Sequence, residues 1–121
     1  MLSGAHIVIF SRNAEADRAF VRDVLGLPTI DAGGGWLISG LPPTEMAFHP
    51  GEPEGATSAE LYLMCDDIQT LLGRLREQQI EAEPVTDQSW GLATHIALPS
   101  GARLGIYQPR HLHPPRASGP D

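Results

Sequence analysis

Seven side chains have the types and spacing to work on a small molecule: His6, Glu45, His49, Glu60, Tyr62, His95 and Tyr107. Each lies in a short run of β-branched, aromatic or aliphatic residues, and successive side chains of an extended chain point to opposite faces. By that parity His6 goes with Val8 and Phe10, Glu45 with Ala47 and His49, and Glu60 with Tyr62 and Met64. His95 likewise goes with Ala93 and Ala97, and Tyr107 with Arg103 and Gly105. The opposite faces, such as Leu61, Leu63 and Cys65 or Leu104 and Ile106, are apolar and suit packing under helices. A curved sheet with the polar and aromatic face inward forms a cup for a small ligand; left outward, the same face is simply solvated. In a cup without a metal, the two carboxylates of Glu45 and Glu60 would repel and raise the pKa of one of them. Tyr62 and Tyr107 serve as pocket wall or as acid-base partners of Glu60. His49 and His95 serve as hydrogen-bonding side chains or as metal ligands. Trp36 and Trp90 flank short strands and either stack a planar ligand or cover the rim.

The elements that must position these groups follow one order, written twice. A β-rich run at 6–11 precedes Asn13, a good N-cap, and Glu15 and Asp17 suit the positive end of the helix that follows. That helix runs to about Leu25, with Gly26 at its C′ position and Pro28 preventing continuation. Short strands are expected at 28–32, 36–39 and 45–49, separated by Gly33-Gly34-Gly35 and Pro42-Pro43. No helix follows the three glycines, so they read as a hairpin turn and not a phosphate cradle. Residues 50–58 have linker composition. A strand at 60–65, an N-cap at Asp67, a helix over 68–79 and strands at 81–85, 92–98 and 102–108 come next. A shift of 54 residues lays His6 on Glu60 and Asn13 on Asp67, an argument from element order and not from identity. The expected fold class is therefore α+β, two βαβββ modules over about 5–50 and 59–110 in one domain spanning 1–110. Each module exposes an apolar face that pairing buries. A tail over 111–121 has little to pack, and its His111 and His113 suggest adventitious metal affinity only.

The chain has 121 residues and a net charge of −7, and all eight basic residues are Arg. The halves divided before Ala59 carry −4 and −3, so neither is a basic arm or an acidic tail. Such a balance argues against nucleic acid as a partner and would steer a cationic small molecule inward. No apolar run reaches the roughly 18–20 residues of a membrane span, and the opening residues lack a signal-peptide pattern. A cytoplasmic location is the expectation. The single cysteine, Cys65, excludes an internal disulfide and falls on the helix-packed face as an inert thiol.

His6 through Gly26, with the helix ending Leu25-Gly26, resembles the first module of the vicinal oxygen chelate superfamily, which includes glyoxalase I, bleomycin-resistance proteins and extradiol dioxygenases. Residues 60–68, Trp90-Gly91, Leu98-Pro99-Ser100-Gly101 and Leu104 to Pro109 resemble its second. The resemblance covers about residues 5–110 and implies mixed sheets curling into a cup. It also implies metal ligands on the first and fourth strands of each module, which by position are His6, Glu45, Glu60 and Gly105. An imidazole and two carboxylates suit one divalent ion, zinc, nickel, manganese or iron. Gly105, which cannot ligate, stands where a carboxylate is usual. Three functions follow. One is a small-molecule-binding protein of the drug-sequestering kind, needing no cofactor. Another is a metal-dependent lyase, isomerase or dioxygenase built on His6, Glu45 and Glu60, in which Glu45 or Glu60 leaves the metal to act as general base. The third is a metal-free enzyme using Glu60 with Tyr62 or Tyr107 as acid-base groups. Chains of this length in the superfamily commonly form homodimers, with cups built within or between subunits.

Overall fold

A computed structural model describes residues 6–35, 37–48 and 59–115. Two helices and six strands follow the order α1 (Ala14–Asp23), β1 (Thr29–Asp31), β2 (Leu37–Ser39), β3 (Tyr62–Met64), α2 (Ile68–Glu77), β4 (Thr86–Gln88), β5 (Gly91–Ala97) and β6 (Arg103–Pro109). The fold is α+β, as expected.

The second module is complete. Its sheet has the order β3-β6-β5-β4, with β3 parallel to β6 and the other pairs antiparallel. Both helices begin at the expected caps. Asn13 Oδ1 accepts from the Ala16 N–H at 3.3 Å, and Asp67 Oδ1 from the Thr70 N–H at 3.1 Å. A second tie fixes α2, whose Ile68 N–H donates to the Gln108 side chain on β6 at 3.0 Å. Ile68, Leu72 and Leu75 of α2 pack with Ile96, Leu98, Leu104 and Ile106 as one buried core. Phe20, Val24 and Leu25 from the first helix join its margin. Cys65 also packs there, and burial followed by the charges of Asp66 and Asp67 pushes its thiol pKa up, as for an inert core thiol.

The first module departs from expectation at both ends. Residues 6–11 and 45–48 form no strand, and Ile7 to Phe10 are exposed, Phe10 to 94%. In the second module the first and last strands, β3 and β6, are ladder partners. The corresponding runs of the first module would be each other's partners, so neither forms a ladder without the other. Its middle hairpin does form. β1 pairs with β2 antiparallel around Gly33, Gly34 and Gly35, all at positive φ, and the Gly33 N–H donates to Asp31 at 2.7 Å. In the second module the strand expected at 81–85 is reduced to one bridge, Ala82 to Ile96, and the regular strand begins at Thr86. Pro84 has no N–H to continue a ladder, so pairing resumes only beyond it.

Asp17 joins the two modules. Its buried carboxylate accepts from the Ser11 hydroxyl at 2.7 Å, the Ser100 hydroxyl at 2.7 Å and the Ser100 N–H at 3.0 Å. Burial alone would raise its pKa, but the donors from Ser11 and Ser100 outweigh it and hold the carboxyl below its ordinary value. Arg12 strengthens the junction, its Nε donating to the Ser100 carbonyl at 2.9 Å.

Candidate functional site

Strand register puts the expected aromatic residues on one face of the second sheet. Tyr62 and His95 both lie opposite Gly105, and Tyr107 lies opposite Met64 and Ala93. Their rings meet edge to face. Tyr62 is 5.3 Å from His95, 5.8 Å from Tyr107 and 6.1 Å from Trp90, and Trp90 is 5.3 Å from Tyr107. All four are half-buried, so they share one partly solvated aromatic wall. Gly91, ahead of this wall, is packed against backbone: a Cβ there would stand 2.4 Å from the Gln108 carbonyl oxygen.

Gly105 lies directly under the Tyr62 ring. A Cβ at this position would stand 2.3 Å from Tyr62 Cδ1 and 2.5 Å from its Cε1. The Tyr62 ring therefore fills the space into which a side chain at 105 would project. Glycine here makes room for an aromatic platform, and a carboxylate at 105 would require that ring to leave.

Two grooves border the wall. One, of about 230 Å³, is lined by Tyr62, Trp90, His95, Glu83, Thr86 and Arg103, among others. The other, of about 310 Å³, lies between Ile7–Ile9 and the start of β3, with Glu60, His95, Arg103 and Gly105 on its lining. Arg103 is held in a two-pronged ion pair with Glu83, both contacts at 2.8 Å. Glu60 carries its charge to Tyr62. Burial first, then the Glu60 carboxylate, raises the Tyr62 pKa, with Arg103 opposing. Burial, then Glu45, raises the Tyr107 pKa. Both phenols thus stay protonated at neutral pH and can donate hydrogen bonds.

Glu45 does not share a ligand group with His6 and Glu60. Among the described residues, the one set of three metal-ligating side chains with ligand atoms within 4.8 Å of one another is Glu45, His111 and His113. His6 and Glu60 are both exposed, and Glu60 lines the larger groove. Trp36 and His49 lie outside the described residues. The chain after β6 is anchored more than its composition suggests. Arg110 donates its N–H to the Trp90 carbonyl at 2.9 Å and pairs with Asp87 at 2.5 Å, and the His111 ring stacks on Tyr107 at 5.9 Å.

Among the described residues no helix is long and apolar enough to cross a membrane. No protein-family model matches the chain, and no curated protein matches it. Solved structures do match. An antibiotic-binding protein from Streptomyces sp. CB03234, TnmS3, superposes at a TM-score of 0.62 with 21% identity, covering 90% of this chain and 99% of that one. A lactoylglutathione lyase from Agrobacterium tumefaciens superposes at 0.58 with 18% identity, covering 88% and 92%. A glyoxalase/bleomycin resistance protein, also from Streptomyces sp. CB03234, superposes at 0.53 with 18% identity, covering 83% and 95%. With its βαβββ second module and these neighbours, the chain has the fold of the glyoxalase and bleomycin-resistance proteins.

Proposed function

We propose that this protein binds and sequesters a planar, positively charged small molecule on the aromatic face of its second sheet, without chemistry. The observation that carries this reading is the Tyr62 ring lying over Gly105, with Trp90, His95 and Tyr107 around it. Aromatic faces hold a flat ligand by stacking and a cationic one by attraction to the ring quadrupole. The net charge of −7 and the nearby Glu60 favour a cation, while Arg103 is neutralised by Glu83. The likeness to TnmS3, described as an antibiotic-binding protein, supports the same reading. The enzymatic alternative needs His6, Glu45 and Glu60 around one ion. Grouping of Glu45 with His111 and His113 weighs against it.

The test is tryptophan fluorescence in a Trp36→Phe background, leaving Trp90 as reporter, titrated with a planar cationic acridine. Saturable one-to-one quenching, weakened by roughly 5- to 150-fold in Tyr62→Ala, is expected from a lost stacking contact of about 1–3 kcal/mol. Quenching that is non-saturable, or unchanged in Tyr62→Ala, would overturn the reading. The proposed assembly is a homodimer in which a second copy covers the exposed run Ile7–Phe10. A monomeric mass by light scattering at micromolar concentration would refute that part alone.

A further inference from the structure

We propose that Glu45, His111 and His113 form a binding site for one divalent transition-metal ion, which clips the chain after β6 onto the segment ahead of the linker. His111 and His113 are neighbours in the chain after β6, and the fold brings the distant Glu45 to them. Their ligand atoms lie within 4.8 Å of one another. Ligands about 2.0–2.1 Å from one tetrahedral zinc ion stand roughly 3.3 Å apart, so side-chain torsions alone can close the set. Two contacts already resemble a prepared site. His113 Nδ1 is 2.5 Å from Glu45 Oε1, and Glu45 is the more covered partner, 20% exposed against 51%.

The second contact fixes a tautomer. His111 Nδ1 lies 2.9 Å from the Leu112 carbonyl, which can only accept, so this nitrogen carries the proton. The lone pair is then on Nε2, where an ion would displace the hydrogen bond from the Tyr107 hydroxyl at 3.0 Å. A backbone carbonyl holding the far ring nitrogen is how metal-ligating histidines are oriented. Two imidazoles and one carboxylate suit zinc, nickel or cobalt better than magnesium or calcium, which prefer oxygen. Three protein ligands leave at least one position open. This set differs from the one that strand position implies, because it uses neither His6 nor Glu60. It does not depend on ligand binding at the aromatic wall.

The experiment is calorimetric titration of the full chain with Zn²⁺ alone, repeated for His111→Ala, His113→Ala, Glu45→Gln and His6→Gln, each checked for folding by circular dichroism. Co²⁺ absorption in the d–d region reports ligand number independently. The expected result is one ion per chain, with affinity falling about tenfold or more in each of the first three variants and unchanged in His6→Gln. A cobalt spectrum of four- or five-coordinate intensity should be lost with His113→Ala. Affinity that survives in both His111→Ala and His113→Ala, or falls in His6→Gln instead, would overturn the site. Absence of binding at millimolar Zn²⁺ would do the same.

Discussion

Replacing Gly105 with alanine adds one methyl group at the point where the structure has no room for it. The new Cβ would stand 2.3–2.6 Å from three atoms of the Tyr62 ring, far inside van der Waals contact, while the β6 backbone on one side is held to β3 by the Gly105 N–H to Leu61 carbonyl bond at 3.0 Å. The ring is the part able to move, and moving it breaks its edge-to-face contacts with Trp90, His95 and Tyr107. Such contacts contribute about 0.5–1.5 kcal/mol each beyond area burial. Alanine recovers about 0.5–1 kcal/mol through backbone entropy, since glycine is unfavourable inside a strand. The expected net loss is about 1–3 kcal/mol, within the usual range for overpacking. For a domain of this size that lowers Tm by roughly 4–12 °C. Urea unfolding of wild type, Gly105→Ala, Tyr62→Ala and the double variant measures the coupling. In the Tyr62→Ala background the added methyl should be neutral or slightly stabilising. An equal cost in both backgrounds would refute the claim that the Tyr62 ring occupies the space above Gly105.

Asp17→Ala should cost about 2–4 kcal/mol in urea unfolding, because it removes the acceptor for two hydroxyls and leaves the Ser100 N–H unpaired. The depressed pKa of Asp17 gives a signed pH effect. Its contribution is full above the ordinary carboxyl value of 3.8 and is lost as pH falls through the lower folded value, so stability measured from pH 5 to pH 2 should decline more steeply in wild type than in Asp17→Ala. Arg103→Ala removes an exposed, solvent-screened ion pair with Glu83 and should leave the urea midpoint nearly unchanged. If charge steers the acridine to the wall, its association rate by stopped flow should fall as salt rises from 10 to 300 mM, with a smaller change in the dissociation rate.

Strand parity alone was sufficient to place Tyr62, His95 and Tyr107 on one face, because β3, β5 and β6 are regular ladders in which alternation survives folding. The caps at Asn13 and Asp67 were legible for the same local reason. Parity at His6 and Glu45 decided nothing, since residues 6–11 and 45–48 form no ladder and an unpaired segment does not enforce alternation. Gly105 was half legible: the family resemblance singles out the position, but only packing reveals that the Tyr62 ring takes the space above it. His111 and His113 were read as loose because the tail is rich in proline. Tyr107 meets His111 across the short bend after β6, and Glu45 meets His113 by a tertiary contact that local composition does not encode.

The most direct test of the aromatic wall as the binding surface is a ¹H–¹³C NMR titration of the aromatic rings with the planar cation. Signals of Tyr62, Trp90, His95 and Tyr107 should shift together and saturate at one equivalent. Shifts confined to other residues, or none at millimolar ligand, would contradict the account.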